Sequence, residues 1–325
     1  MIKKRYFEYV NKTFSSLVGK TYVVTGGNSG IGYCLVEYLL YLGAKVVIAS
    51  RSKDRILKAI ESLQNVYTDA IIDYLLLDQS NIESIEHFAL ELQSKYPIID
   101  GFVFNAGLFH PNKKTAYVDG FSLTVLTNYL GTFYLSKSLD AYFNSIPDIH
   151  VCHVGSLVFH NQNIKNTGRI WSEGHANLSR QYASSKKMQM VLGHFLNSSY
   201  SYPGFALERK YQARIATPGI SQTNIIGSLE RGFKLIGRWA MGMFFQPAAK
   251  AALPPLYALL KDDVASDCYV IPRGIFELGG YPKVVKIPRE LMIDPTELFI
   301  STEEALNKLK LIQKSKSGIM KQNGV

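Results

Sequence analysis

Residues 21–43 read TYVVTGGNSGIGYCLVEYLLYLG and join a β-branched run, a glycine cluster and a helical run. The apolar run at 21–26 predicts a strand, and the run at 31–43 predicts a helix that ends at Gly43. Between them, the glycines of TGGNSGIG (25–32) permit a tight turn and a close approach of phosphate to the backbone. The helix that follows would present free amides and a positive dipole to that phosphate. The stretch therefore predicts a strand–loop–helix unit with a phosphate site, and a glycine-rich turn without ligand is the alternative.

The same alternation of short strands and longer helices continues along the chain. Further strands are predicted at 44–50, 72–78, 100–107, 149–156, 211–219 and 266–272, and helices at 53–64, 81–96, about 119–143 and 180–196. This order predicts an α/β fold, a doubly wound parallel sheet with helices on both faces. We expect a single domain at 20–275, an N-terminal extension at 1–19, and a C-terminal extension at 276–325 on the substrate side, with a basic tail.

Two segments, 157–180 and 220–247, fit the alternation poorly. Both follow predicted strand ends, which is where open α/β sheets bind their ligands. The second segment is rich in large apolar residues, so we expect substrate-side loops and a lid with an apolar wall. Ordinary connections are the alternative.

Composition narrows the class of protein. The chain has 325 residues, of which 47% are hydrophobic, enough for a sizeable core. It lacks the roughly 18 uninterrupted apolar residues of a membrane span, and its N-terminus lacks the pattern of a secretory signal. Cys34, Cys152 and Cys268 are too widely spaced for a disulfide framework or a zinc site, and the histidines also lack metal-ligand spacing. We therefore expect a cytoplasmic protein without a metal.

The formal net charge is +10, and much of it lies near the chain ends. Residues 307–325 contain five lysines and no acid, which we interpret as a solvated tail. Weak peripheral contact with an anionic membrane surface is the alternative. Because no aromatic residues interleave these lysines, the pattern is not typical of a nucleic-acid partner.

The end of the second predicted strand bears on cofactor choice. A dinucleotide site that prefers NAD(H) usually has an acid near this point, which accepts hydrogen bonds from the adenine ribose. Here the strand ends at Ser50 and is followed by Arg51. A guanidinium suits a 2′-phosphate, and Lys53 and Arg55 add positive potential. The pattern favours NADP(H), with NAD(H) and a solvated basic turn as alternatives.

The pentapeptide YASSK places Tyr182 and Lys186 on one face of a helix. A free phenol has a pKa of about 10, which is too high for easy proton exchange at neutral pH. A neighbouring ammonium lowers that pKa. The pair is therefore a candidate acid and base, and a surface helical pair is the alternative.

Seven motifs now stand in one order between residues 20 and 275. They are TGGNSGIG (25–32), Asp78, NAG (105–107), Asn128 in TNYLGTF, Ser156, YASSK (182–186) and PGISQT (218–223). In this set the sequence resembles the short-chain dehydrogenase/reductase family, which implies a Rossmann-type fold. TNYLGTF and ELGGYPK (277–283) are similar to the branch of retinol dehydrogenases and protochlorophyllide reductases. The chain departs from that branch before Ser156, where it has Gly155, and His160 matches the branch histidine only loosely.

The resemblance implies a role for each matching position. The implied cofactor contacts are Gly26, Asn28, Ser29, Gly30, Ile31 and Gly32 at the pyrophosphate, Arg51 at the 2′-phosphate, Asp78 and Gln79 at the adenine, Asn105, Ala106 and Gly107 at the adenosine ribose, and Pro218, Gly219, Ile220 and Thr223 at the nicotinamide. The implied catalytic group is Asn128, Ser156, Tyr182 and Lys186. Tyr182 would exchange the proton, Ser156 would fix the substrate oxygen, and Lys186 would also hold the nicotinamide ribose. Asn128 would support a water-linked path from Lys186 to solvent.

We therefore expect an NADP(H)-dependent oxidoreductase that interconverts a carbonyl and an alcohol on a small or medium apolar molecule. A non-catalytic nucleotide-sensing or membrane-surface binding protein on the same fold is one alternative. Reduction of a carbon–carbon double bond is another, because the proton donor and cofactor would be the same. The resemblance also implies a homodimer or homotetramer formed through the long helices at 119–143 and 180–202.

Overall fold

An eight-stranded sheet lies at the centre of the structure, which is a computed structural model describing residues 2–109, 116–160, 162, 164, 171, 177–219 and 246–322. In chain order its strands are β1 (Thr21–Thr25), β2 (Lys45–Ser50), β3 (Ile72–Leu76), β4 (Gly101–Phe104), β7 (His150–Val154), β8 (Gln212–Ala216), β9 (Cys268–Pro272) and β10 (Pro282–Lys286). The spatial order is β10-β9-β8-β7-β4-β1-β2-β3, and all neighbours are parallel except β9 and β10. The strand order reverses around β1, which pairs with both β2 and β4. A doubly wound sheet binds ligands at this switch point, at the carboxyl ends of its strands.

Helices cover both faces of the sheet. In chain order they are α1 (Ile2–Thr13), α2 (Gly30–Tyr41), α3 (Lys53–Gln64), α4 (Ile82–Lys95), α5 (Leu123–Val125), α6 (Gly131–Ser145), α7 (Leu178–Leu196), α8 (Ala248–Ala251), α9 (Leu253–Leu260) and α10 (Thr296–Gln322). Neighbouring residues of β1 point to opposite faces of the sheet and so to different hydrophobic cores. Val23 packs in the core that includes α4, α6, α7 and α10. Val24 packs in the core that includes α1, α2 and α9. The α/β prediction, with a Rossmann-type sheet, is confirmed.

The helix predicted from about Asp119 begins later in the structure. Asp119 has φ 55° and Gly120 has φ 79°, and they form the turn of a small hairpin between β5 (Tyr117–Val118) and β6 (Phe121–Ser122). Left-handed residues of this kind end a regular element, so a helix cannot pass through them. α5 starts only at Leu123 and continues through a π-helical turn, Leu126–Leu130, into α6.

Both sequence extensions are parts of the folded body. At the N-terminus, the Phe7 ring of α1 lies 5.2 Å from Tyr38 and 4.7 Å from Tyr41 of α2. At the other end, β10 pairs with β9 over its whole length. The boundary that we expected at residue 275 therefore precedes a strand of the same sheet.

The C-terminal lysines that we interpreted as a solvated tail lie on the docked helix α10, where Lys308, Lys314 and Lys316 are exposed. Leu306 and Leu309 are buried, and Gln313 accepts a hydrogen bond from Ile82 N at 2.9 Å. Lys310 lies over the Tyr134 ring at 4.3 Å, and Lys316 pairs with Asp119. An apolar stripe docks this helix, and its lysines make contacts along the edges of the stripe. The alternative of weak contact with an anionic membrane surface stays a prediction.

α10 also covers the surface on which we expected subunits to meet. Phe299 packs against Phe133 of α6 at 5.0 Å and against Phe195 of α7 at 4.8 Å between ring centroids. Most residues of α7 are buried within this one chain. The chain's own residues therefore cover much of these two helices, and the predicted dimer or tetramer through them stays a prediction. Among the described helices, none is long and apolar enough to cross a membrane.

Candidate active site

The glycine loop after β1 has the shape that the sequence predicts. Gly26 and Gly30 adopt φ 67° and 56°, a region that residues with a Cβ rarely enter. Gly32 is required for a different reason, since a Cβ there would lie 2.4 Å from Gly26 O and 2.5 Å from Asn105 Nδ2. The loop thus folds against the segment after β4. Together they form a cradle that a side chain at Gly32 would fill.

Thr25, which the sequence analysis missed, fastens this contact. Its Oγ1 donates to Val103 O at 3.1 Å and accepts from the backbone amides of Asn105 and Ala106 at 3.0 and 2.9 Å. Asn105 Nδ2 in turn donates to Thr25 O at 2.8 Å. These bonds join the ends of β1 and β4 at the switch point. A polar residue directly before the first loop glycine was the available signal.

The cradle opens onto a cavity of about 930 Å³. Every implied cofactor residue with a described position lines it except Lys186, namely Gly26, Asn28, Ser29, Gly30, Ile31, Gly32, Arg51, Asp78, Gln79, Asn105, Ala106, Gly107, Tyr182, Pro218 and Gly219. Ile220 and Thr223 lie outside the described residues. The cavity therefore brings together sequence positions from the first loop to the end of β8.

At one end of the cavity, charged groups surround the carboxyl ends of β2 and β3. Arg51 and Arg55 both line it and are exposed. Asp78 faces the same space, and its Oδ1 accepts from Ser80 N and Ser80 Oγ at 2.9 and 2.7 Å. Gln79 also lines the cavity, although its Nε2 donates to Thr132 Oγ1 at 2.8 Å. Arg51 after β2 and Asp78 after β3 therefore line the same cavity.

At the other end, Ser156 and Tyr182 meet on the cavity wall. The Ser156 hydroxyl forms a hydrogen bond with the Tyr182 phenol, whose ring packs edge-on against Phe109 at 5.7 Å. Burial raises the pKa of Tyr182 above 10, and the bond with Ser156 only partly opposes this rise. The expectation that Lys186 lowers this pKa is therefore wrong for this structure. The phenol stays protonated at neutral pH.

The Lys186 ammonium lies behind the cavity wall and bonds to other partners. The residue is 4% exposed, and Nζ donates to Val154 O at 3.0 Å and to Gln189 Oε1 at 2.9 Å. A Cβ on Gly107 would lie 3.0 Å from Nζ, so the ammonium stands directly behind the backbone of Gly107. Burial lowers the pKa of Lys186 to about 8.

Asn128 sits in the π-helical turn and clamps the segment after β4. Its Nδ2 donates to Leu108 O at 3.0 Å and to Ser185 Oγ at 3.1 Å, and its Oδ1 accepts from Leu108 N at 2.8 Å. Both amide hydrogens are thus used. π-helical turns are often found at functional sites because they re-aim a single side chain. Asn128 joins α7 to the segment beneath which Lys186 lies.

The wall beside Tyr182 is of mixed character. Leu108, Phe109, Leu157 and Val158 supply its apolar part, and Gln162, Asn177, Ser179 and Arg180 its polar part. Described residues of the segment 157–180 therefore do line the site. The other predicted substrate-side segment, 220–247, lies outside the described residues up to position 245.

Two further contacts attach the C-terminal region to this wall. Gln246 Nε2 donates to Pro218 O at 2.5 Å, and Gln246 Oε1 accepts from Gly280 N at 3.1 Å. Glu290 accepts from His160 at 2.6 Å and pairs with Lys187 at 3.2 Å, and Lys187 also donates to Gln162 O. Gln246 thus links the Pro218 turn to Gly280 after β9, and Glu290 holds the segment after Ser156.

Comparison with known proteins agrees with the fold and the motifs. The family model for short chain dehydrogenases matches residues 20–167. Retinol dehydrogenase 14 of Mus musculus is 29% identical over 262 residues, which cover 76% of this chain and 75% of the mouse protein. A short chain dehydrogenase/reductase of Colletotrichum higginsianum is 39% identical over 126 residues, which cover 38% of this chain and 31% of the fungal protein.

Solved structures extend the similarity of fold to nearly the whole chain. An uncharacterized protein from Mycobacterium paratuberculosis has a TM-score of 0.65 at 22% identity, with 93% of this chain and 96% of that one covered. A short chain dehydrogenase from Shigella flexneri 2a, solved in complex with NADP, has a TM-score of 0.57 at 17% identity, with 77% and 95% covered. Together with the motifs, these matches support the assignment of the chain to the short-chain dehydrogenase/reductase family of oxidoreductases.

Proposed function

We propose that this chain is an NADP(H)-dependent oxidoreductase that interconverts a carbonyl and an alcohol on an apolar molecule, with Tyr182 as acid and base. One observation carries the proposal. A single cavity has the glycine cradle and Arg51 on one side and the hydrogen-bonded Ser156 and Tyr182 on the other. A nicotinamide nucleotide bound there would supply or accept the hydride.

The cradle supports a pyrophosphate at the start of α2. In the described part of the chain, the first turn of this helix has no side-chain cap from Ser29, which leaves its amides available to an anion. The absent Cβ of Gly32 leaves the backbone open to close approach. Arg51 just after β2 and Arg55 in α3 favour a 2′-phosphate, and Asp78 would accept a hydrogen bond from the adenine amine.

The proton chemistry follows from the state of the phenol. A raised pKa keeps Tyr182 protonated, and this is the form that donates to a carbonyl oxygen as it becomes an alkoxide. Ser156, bonded to the same phenol, would donate to that oxygen and fix its distance from Tyr182. In the reverse direction Tyr182 would need its proton withdrawn through Ser156 or solvent. Lys186 would orient the nicotinamide ribose from behind Gly107, and Asn128 would hold the wall between them.

The apolar side chains of the cavity wall and the names of two similar proteins both favour an apolar substrate. Leu108, Phe109, Leu157 and Val158 flank the phenol. Retinol dehydrogenase 14 of mouse and polyprenol dehydrogenase of Danio rerio, which is 30% identical over 144 residues, are both named for isoprenoid alcohols. We therefore propose isoprenoid and other apolar alcohols or aldehydes as the first compounds to test.

The test of catalysis is Tyr182→Phe. Wild-type protein is screened against apolar alcohols with NADP⁺ and aldehydes with NADPH, and absorbance of the reduced nicotinamide is followed. We expect the variant to lose roughly 10²–10⁴-fold in kcat and to bind NADPH normally by fluorescence titration. Tyr200→Phe, at an exposed tyrosine outside the cavity, is the matched control. Near wild-type turnover of Tyr182→Phe would refute the assignment.

The test of cofactor choice is Arg51→Ala. Loss of a charge-assisted contact to the 2′-phosphate should weaken NADPH binding by roughly tenfold or more and leave NADH binding nearly unchanged. Lys58→Ala is the matched control, because Lys58 is an exposed cation of α3 that does not line the cavity. Equal losses for NADPH and NADH would contradict the phosphate role.

A further inference from the structure

Lys186 is buried in a position that needs explicit partners. Its ammonium carries three N–H donors and is almost fully removed from solvent. One donor is satisfied by Val154 O at the end of β7, and a second by Gln189 Oε1. A buried ammonium depends on its hydrogen-bond acceptors both for its charge and for its orientation.

Gln189 has a fixed orientation of its own. It is 0% exposed and follows Lys186 by three residues, so the two side chains are neighbours on α7. Its Nε2 donates to Phe104 O, at the end of β4, at 3.2 Å. Because the amide nitrogen is held by the strand, the amide oxygen must face the lysine.

No other described side chain near Lys186 accepts a hydrogen bond from its ammonium in place of Gln189. His153 of β7 is buried and stacks on Phe104 at 4.4 Å, and burial together with the charge of Lys186 lowers its pKa to about 3. It is therefore neutral at working pH. Tyr182, one turn earlier on α7, bonds to Ser156, and Asn128 bonds to Leu108 and Ser185. No carboxylate bonds to this ammonium in the part of the chain that the structure describes.

We propose that Gln189 is a positioning residue, which links Lys186 to the end of β4 and so holds the ammonium behind Gly107. This rests on the proposed function, in which Lys186 serves the cofactor. The link has a direct consequence, because Phe104 is followed at once by the Asn105–Gly107 segment that lines the cavity. One amide thereby sets the distance between the lysine and the wall that the cofactor would meet.

The test reads the lysine itself and needs no substrate. Protein labelled with ¹³C at lysine Cε is titrated by NMR, and Lys186→Met identifies the Lys186 signal. We expect the wild-type lysine to titrate near pH 8. Gln189→Glu should raise that midpoint by about one unit, since a carboxylate favours the ammonium, and Gln189→Leu should lower it by about one unit.

A matched control separates this effect from general repacking. Gln181 is another buried glutamine of α7, bonded to Ser122 instead of Lys186, and Gln181→Leu should leave the midpoint within about 0.2 units. The pH profile of NADPH binding should shift in the same direction as the NMR midpoint. Gln189→Asn, too short to reach both partners, should behave as Gln189→Leu does, and it serves if the leucine variant does not fold.

The outcomes are distinct from those of the proposed function. If the midpoint of folded Gln189→Glu and Gln189→Asn stays within about 0.3 units of wild type, the positioning role is overturned even if the enzyme turns over. If the midpoints move as expected and no compound is turned over, the positioning role stands and the proposed reaction fails.

Discussion

Replacing Phe299 by alanine tests whether α10 is part of the folded core. The side chain is 0% exposed, and its ring lies 5.0 Å from Phe133, 4.8 Å from Phe195 and 5.2 Å from Tyr202. Deleting a core phenylalanine costs about 3–5 kcal/mol through lost transfer energy and the cavity left behind. Because ring pairs contribute roughly 0.5–1.5 kcal/mol each beyond buried area, we expect a loss of about 4 kcal/mol or more. That is a large share of a typical stability of roughly 5–15 kcal/mol.

The assay is urea unfolding followed by circular dichroism, with the midpoint and slope fitted separately. Leu311→Ala is the matched control, since this leucine lies on the same helix but is 72% exposed, and its replacement should cost less than about 0.5 kcal/mol. Light scattering after size exclusion gives a second reading. A loss below about 1 kcal/mol for Phe299→Ala would refute the packing. A wild-type dimer that this variant dissociates would refute the assignment of α10 to its own chain's core.

Three further predictions follow from the site. Gly32→Ala should weaken NADPH binding at least tenfold in a fluorescence titration, because its Cβ would overlap Gly26 O at 2.4 Å; unchanged affinity would contradict the cradle. The unfolded chain keeps the Lys186 proton up to about pH 10.5, whereas the folded chain keeps it only to about pH 8. The free energy of unfolding of wild type, relative to that of Lys186→Met, should therefore rise by about 2 kcal/mol between pH 7.5 and 9.5. A difference that stays constant with pH in urea titrations would contradict this prediction. Burial raises the pKa of Glu290, but hydrogen bonds from His160 and Lys187 outweigh this effect and lower the pKa overall. Wild type should therefore lose stability relative to Glu290→Gln as the pH falls below about 4.5. If the stabilities of the two proteins fall in parallel with pH, the contact is contradicted.

Local patterns in the sequence were sufficient for the nucleotide end and for the chain of elements. The left-handed Gly26 and Gly30, the alternation of strands and helices, and the i, i+4 spacing of Tyr182 and Lys186 all depend on dihedral preferences and periodicity, which neighbouring residues encode. Asp119–Gly120 was a local signal too, since a pair that favours left-handed backbone indicates a turn. That signal was outweighed by the helical pattern after it.

What only the tertiary structure decided is which groups meet. The sequence contains Gln189, but nothing local indicates that its amide spans from Phe104 to Lys186, or that Lys186 also donates to Val154 O. Likewise, nothing local indicates that Phe299 docks α10 against α6 and α7. Burial and pKa depend on contacts between residues far apart in the chain, and those contacts exist only once the sheet has brought its strand ends together. Residue patterns and the family resemblance thus predicted which residues line the cavity, and packing decided the burial and hydrogen-bond partners of each.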